Sequence, residues 1–306
     1  VQGILPSTIL TTAQSNTYPA GSAEKAAFEY LNAERLRDGF GAVAQSAPLD
    51  AAARGHADYN LLNFAFGHYQ RAGDPGFTGI EPHDRVRASG YGPSGFAVMT
   101  DATAANYYDA SNAPPIDQVA RLLNAPFHMA SLLSGMRDLG VAVRSDADVP
   151  ASPVPALITQ FSGAYVGSAG PQLPATGQVL VYPCNGSTGM HRALYGERPH
   201  PVPGRDLLAR PLGRSMYVYS RPGSTLIVGS ASLTLSAGGP AIPLLPPSKE
   251  GDFAASHHTF IAADVPQAAN TAYTFTVSGT VSGTAFSKTC QFTTSSEYIR
   301  PEDEPK

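Results

Sequence analysis

Asn270-Thr271-Ala272-Tyr273-Thr274-Phe275-Thr276-Val277, followed by Gly279 and by a run that ends Phe292-Thr293-Thr294, decides the architecture of the C-terminal half. Tyr273, Phe275 and Val277 alternate with Thr274 and Thr276, the period of a strand with one face in a core and the other in solvent. Glycines between the two runs mark a turn, so the segment reads as the last hairpin of a β domain. Upstream lie further short alternating runs separated by Gly/Pro turns: Val179–Tyr182, Met216–Tyr219, Thr225–Val228, Ser232–Leu235 and His258–Ile261. About seven strands in roughly 120 residues predict a β-sandwich of immunoglobulin or fibronectin type. Cys184 follows the first strand and Cys290 lies in the last. Two free thiols are one reading of this pair; placement in one sandwich favours a disulfide closing a loop of about 100 residues, which chain entropy values at about 4.7 kcal/mol.

The N-terminal half has a different period. Ala26, Phe28, Leu31, Ala33 and Leu36 stand at helical spacing among charged residues and stop at Gly39. A second helix is expected from Leu49 to Asn63, a short one over Pro82–Ala88, and another from Ile116 to Asn124 after Pro114-Pro115. Leu139–Val143 and Pro155–Phe161 read as two strands that pair with each other. Helices first and strands afterwards make the fold class α+β. The expected organisation is an arm over 1–20, an α+β domain over 21–165, a Gly/Pro/Ser/Ala linker over 166–177, the β-sandwich over 178–295 and a disordered charged tail over 296–306.

The chain has 306 residues, which at roughly 100 to 200 per domain suits two domains. Charged residues make up 14% and the net charge is −4, which argues against a nucleic-acid partner, since phosphate binding requires a basic face. No apolar run reaches the roughly 18 residues that a transmembrane helix requires. Numbering from Val1 fits a mature chain whose leader has been removed, and fits an arbitrary boundary equally; the expected location is secreted or periplasmic, the leader taken as removed.

Two histidines sit at the ends of predicted helices: His68 after Phe64-Ala65-Phe66-Gly67, and His128 after Asn124-Ala125-Pro126-Phe127. The motifs around them extend over residues 26–144: Leu31-Asn32-Ala33-Glu34-Arg35; Pro48-Leu49-Asp50-Ala51-Ala52-Ala53 with His56; Asp84-Arg85-Val86-Arg87-Ala88-Ser89-Gly90-Tyr91; and Leu139-Gly140-Val141-Ala142-Val143. In order and spacing this series resembles the bacterial branch of the CAP superfamily (cysteine-rich secretory proteins, antigen 5, pathogenesis-related 1). The resemblance implies an α-β-α sandwich, secretion, and a shallow cavity holding two histidines, here His68 and His128, often with two acidic residues and in several members a divalent metal.

This sequence departs from that pattern where the acids should be. The segment after Gly90-Tyr91 reads Ser94-Gly95-Phe96-Ala97-Val98-Met99-Thr100 with no carboxylate, Asp101 is the nearest acid, and Leu122 stands where the resemblance implies Trp. Two neutral imidazoles provide too few ligands and too little charge for a Zn²⁺ site. The reading is therefore of a binding protein without turnover and without a cofactor, its ligand a cell-envelope glycan, a lipid or a protein. That ligand is expected to lie near His68, His128, Tyr91 and the Phe96–Asp101 segment. A metal-assisted hydrolase holding Zn²⁺ or another divalent ion through His68, His128 and Asp101 is the alternative, and a structural or matrix protein a third.

Overall fold

The computed structural model describes residues 8–65, 67–107, 115–248 and 255–296. The tail expected to be disordered lies, from residue 297 on, outside the described residues, as do residues 1–7 of the arm. The first half contains α1 (Ala23–Arg37), β1 (Ala44–Gln45), α2 (Ala47–Asn63), α3 (Pro82–Ala88), β2 (Phe96–Tyr107), α4 (Pro115–Leu122), α5 (Pro126–Leu132), β3 (Asp138–Ser145) and β4 (Ala156–Val166). The second half contains β5 (Val179–Tyr182), β6 (Ser187–Met190), β7 (Ser215–Ser220), β8 (Leu226–Leu235), β9 (His258–Ala262), β10 (Ala272–Val281) and β11 (Thr284–Thr294). The fold is thus mixed α and β, and among the described residues the helices belong to the first half.

In the first half a sheet of order β1-β3-β4-β2 has helices on both faces. Alternation along each strand assigns the faces. Ala102, Val141 and Phe161 point with Phe28 and Leu31 of α1, Val119 of α4 and Met129 of α5 into one core. Ala164 on the other face packs on Leu49 and Ala52 of α2 and Val86 of α3. Helix α2 lies so close to the sheet that a Cβ at Gly140 would stand 2.0 Å from the Leu49 carbonyl carbon, so only glycine fits there.

Strand β2 was not expected: its first residues were read as a segment lining a cavity. They form an edge strand paired along its length with β4. Its sequence, Phe-Ala-Val-Met-Thr-Asp-Ala-Thr-Ala-Ala-Asn-Tyr, is rich in alanine, a poor strand former whose small side chain suits a sheet covered closely on both sides.

The second half forms a four-stranded sheet of order β6-β11-β10-β8 and a three-stranded sheet of order β5-β7-β9. Both sheets contribute to one core, with Tyr217 and Phe260 from the smaller and Tyr273, Phe275 and Phe292 from the larger. The last hairpin is β10–β11, in register from Ala272↔Thr293 to Val281↔Thr284. The two short strands expected at Thr225–Val228 and Ser232–Leu235 are one continuous β8, which runs through Gly229 and an irregularity opposite Ser278/Gly279. On the outward face of this sheet Thr274, Thr276 and Ser278 lie opposite Thr234, Ser232 and Ser230 of β8. Across β11 the same three face Gln291, Thr289 and Ser287. Cys184 and Cys290 form a disulfide across a sequence separation of 106 residues, which removes the free-thiol alternative.

The two halves share a hydrophobic core, Phe40 stacking on Tyr217 with ring centroids 6.2 Å apart. Buried polar groups reinforce the join: the Tyr182 hydroxyl donates to Glu34 (3.1 Å) and the Cys184 amide to Asp38 (2.9 Å). The segment read as a linker is fastened to the first half. Gln172 is buried, accepts the Leu10 amide (2.7 Å) and donates to the carbonyls of Ala42 (2.7 Å) and Met136 (2.8 Å). A Gly/Pro-rich composition signals turns, and it carries no information on whether the backbone groups are met by neighbours.

Candidate functional site

On the α2 side of the first sheet, a buried carboxylate holds an imidazole at the surface. Asp101 stands on β2, its neighbours Thr100 and Ala102 facing the opposite core, so its side chain emerges toward α2 and α3. Its Oδ2 accepts from His68 Nδ1 (2.9 Å) and from Arg85 Nη2 of α3 (3.0 Å), and its Oδ1 from Gln160 Nε2 of β4 (2.9 Å). Arg85 also donates through Nη1 to the His68 carbonyl (2.8 Å), so one guanidinium fixes both the carboxylate and the backbone carrying the imidazole.

The loop bearing His68 is fastened to α2 by a second histidine. His56 Nε2–H donates to the Gly67 carbonyl (2.9 Å), while His56 Nδ1 accepts from Gln70 Nε2 (3.1 Å). Gln70 Oε1 in turn accepts the Thr78 amide (2.7 Å). Burial pushes the His56 pKa down to about 4, so it serves as a neutral structural clamp. Gly67, at φ 103°, supplies the turn that brings His68 back toward β2, a conformation that glycine adopts without strain.

An ionised carboxylate only accepts, so the His68 proton sits on Nδ1 and Nε2 is left for solvent or a ligand. The His68 side chain is 50% exposed whereas Asp101 is 6% exposed. The hydrogen bond to Asp101 raises the His68 pKa above its ordinary value, against the opposing effect of burial. For Asp101, burial pushes the pKa up, but the His68 hydrogen bond and the Arg85 charge outweigh it and hold the carboxyl below its usual range. The product is a rigid imidazole with one open nitrogen and an increased tendency to carry positive charge.

The stretch of chain that carries His68 also exposes apolar side chains. Phe64, Tyr69, Phe77 and Ile80, four of the eight large hydrophobic side chains exposed among the described residues, belong to the segment that carries His68, and Tyr69 is 69% exposed. That segment is well anchored: Tyr59 Oη accepts the Arg71 amide (2.9 Å) and donates to Asp74 (3.0 Å).

The structure brings together His68 and Asp101 and separates the other two candidates. His128 belongs to α5, which packs on the opposite face of the sheet, so the expectation of a cavity shared by both histidines is corrected. Its Nδ1 bonds Glu197 Oε1 (2.8 Å), an oxygen that also accepts the amides of Phe127 (2.8 Å) and His128 (3.0 Å) at the start of α5. His128 therefore serves the junction between the two halves. Tyr91 donates from its hydroxyl to Asp138 (2.6 Å) and packs edge-on against Phe96, within the small core under α2 and α3.

Sequence reasoning passed over Arg85, Gln160 and Glu197 as site residues. Arg85 was quoted only as part of a motif; its single legible signal is an arginine in a short helix next to Val86, where the apolar face turns inward. Among the described residues no group of three or more His, Cys, Asp or Glu is placed to hold a metal ion. With His68 and His128 on opposite faces, the residues present do not fit the divalent ion that the resemblance implies.

The chain matches no protein-family model, and no curated protein matches its sequence. Among the described residues no helix is long and apolar enough to cross a membrane.

Proposed function

We propose that this chain is a secreted or periplasmic binding protein of CAP-like architecture, which takes a cell-envelope ligand at the His68 surface without turning it over. The observation that carries this reading is the His68–Asp101–Arg85 arrangement: a fixed, half-exposed imidazole on an anchored loop that also exposes aromatic and aliphatic side chains. Such a loop offers one directed hydrogen bond together with exposed apolar side chains, the composition of a recognition surface. The disulfide is compatible with an oxidising compartment.

The hydrolase alternative, with a divalent ion held by His68, His128 and Asp101, is disfavoured because the two histidines lie on opposite faces of the sheet. Asp101 speaks against it as well: His68 and Arg85 share its Oδ2 and Gln160 holds its Oδ1, so neither oxygen is left to a cation. The test is retention of the purified chain on cell-wall preparations, compared with His68→Ala and Tyr69→Ala. Reduced retention with no soluble product released supports binding. Steady release of fragments by the unmodified chain, abolished by His68→Ala, overturns the reading in favour of hydrolysis.

A further inference from the structure

The outward face of the β8-β10-β11 sheet presents nine contiguous positions in three rows, each row crossing all three strands. Eight are Ser or Thr and the ninth is Gln291, and all nine are exposed or half-buried. Charged residues make up 14% of the chain, so about one of nine positions is expected to be charged; here none is. Lys288, the one charged residue of β11, stands opposite the buried Val277 and alternates away from this face. The row beyond the grid places Thr280 between Ala285 and Ile227, an isoleucine 58% exposed on the same face.

We infer that this face binds the surface of a neutral, hydroxyl-bearing polymer, a polysaccharide without charged substituents. The complementarity is one of polarity. Nucleic acid requires cations to displace its counterions, a bilayer requires an apolar or polybasic face, and a tight protein interface requires a buried aromatic or arginine anchor. The grid has none of these. Each Ser or Thr hydroxyl both donates and accepts, as do the hydroxyls of a sugar, so either partner adjusts to the other by rotating O–H bonds.

The sheet also holds its hydroxyls in place. Rows repeat at about 6.8 Å along a strand and columns at about 4.8 Å across strands. Hydroxyl contacts between strands tie the columns together at Ser230–Ser278 (2.8 Å), Ser236–Thr274 (2.9 Å) and Thr276–Thr289 (3.5 Å). Exposed Ile227 gives the apolar edge of a sugar ring a place to rest. Each contact is weak because water competes for it, so recognition depends on many hydroxyls engaging one polymer. Linked contacts of this kind exceed single ones by roughly 10²–10⁴-fold in avidity. The face is thus expected to retain polymer and to ignore free mono- and disaccharides.

This surface is independent of the His68 site, and the experiment keeps the two apart. The full chain is co-sedimented with particles of cellulose, chitin and an insoluble neutral glucan. Anionic vesicles and duplex DNA serve as parallel arms. The variants are Ser232→Ala/Thr276→Val/Thr289→Val, which strips the central row while keeping strand-forming residues at its two threonines, and Thr276→Lys, which puts a charge at the centre. Retention on at least one polysaccharide is expected, with a loss of tenfold or more in both variants and an unchanged unfolding midpoint. The inference is overturned if no polysaccharide retains the chain, if both variants bind as the unmodified chain does, or if vesicles or DNA are preferred. A concentration-dependent dimer that Thr276→Lys abolishes, without retention on polysaccharide, also overturns it and assigns the face to a second copy.

Discussion

Replacing Gly140 by alanine tests whether the α2 layer is fitted to the sheet as closely as the structure shows. A Cβ there would lie 2.0 Å from the Leu49 carbonyl carbon and 2.2 Å from the Asp50 nitrogen, whereas ordinary contacts begin near 3.4 Å. Helix α2 or strand β3 must therefore retreat by about 1.4 Å, the difference between 3.4 and 2.0 Å. The neighbours are backbone atoms, so no side-chain rotation relieves the clash. A retreat of that size loosens the packing of buried Leu49, Ala52 and Ala53 and strains the bond from the Val141 amide to Asp50 (2.9 Å). Overpacking of this kind costs about 3 kcal/mol, the upper part of its usual range, because the obstacle is main chain. That is a roughly 150-fold fall in the ratio of folded to unfolded chain. Urea unfolding followed by circular dichroism measures it, with Gly229→Ala as the control, since its nearest neighbour would be 3.7 Å away and its φ is not in the left-handed region. The site should respond as well: α2 carries His56, the clamp on Gly67 and Gln70, so its displacement weakens the His68–Asp101 bond and lowers the His68 pKa by NMR. A loss below about 0.5 kcal/mol, the scatter of ordinary surface changes, would refute the close-packing argument.

Three further outcomes are expected. Reduction of Cys184–Cys290, or replacement of both cysteines by alanine, should destabilise the chain by about 4 to 5 kcal/mol if the constraint on the unfolded state dominates, and an unfolding midpoint insensitive to reductant would contradict this. Asp38 is raised to about 7, first by burial and against the Cys184 hydrogen bond that lowers it. Its folded pKa lies above the unfolded one, so ionisation costs stability as pH rises from about 4 through about 7, and Asp38→Asn should flatten that part of a stability-against-pH curve; an unaltered slope would mean that another group produces it. For His68 the folded pKa is also raised, so its contribution is fully present below the unfolded value and is lost as pH rises through the folded one. Asp101→Asn should bring the NMR titration midpoint of His68 down, and a midpoint that stays put would show that Asp101 does not set it.

Local pattern carried much of the fold. Pro82–Ala88 is a helix over the residues its sequence indicates, and α2 extends only two residues before its expected start at Leu49. The β10–β11 hairpin is written in the alternation of Tyr273, Phe275 and Val277 with threonines. Strand β2 was illegible because its alanines carry almost no periodic signal. The site was half legible: His68 stood out by its glycine, and Asp101 as the nearest acid, while Arg85 and Gln160 carry no local mark of their role.

By itself the sequence determined many of the helical and extended segments, β2 and α5 excepted, because these depend on side-chain period and turn residues within a dozen positions. It also determined that the two cysteines belong to one β domain. Only the tertiary structure decided which faces meet. His68 and Asp101 are 33 residues apart and bonded, whereas His128 finds its partner 69 residues away in Glu197, across the junction of the halves. One residue of strand parity, with Thr100 facing one core and Asp101 the other layer, is enough to assign the two histidines to opposite sides of a sheet. Pairing and parity arise from long-range packing, and a window that moves along the chain does not contain them.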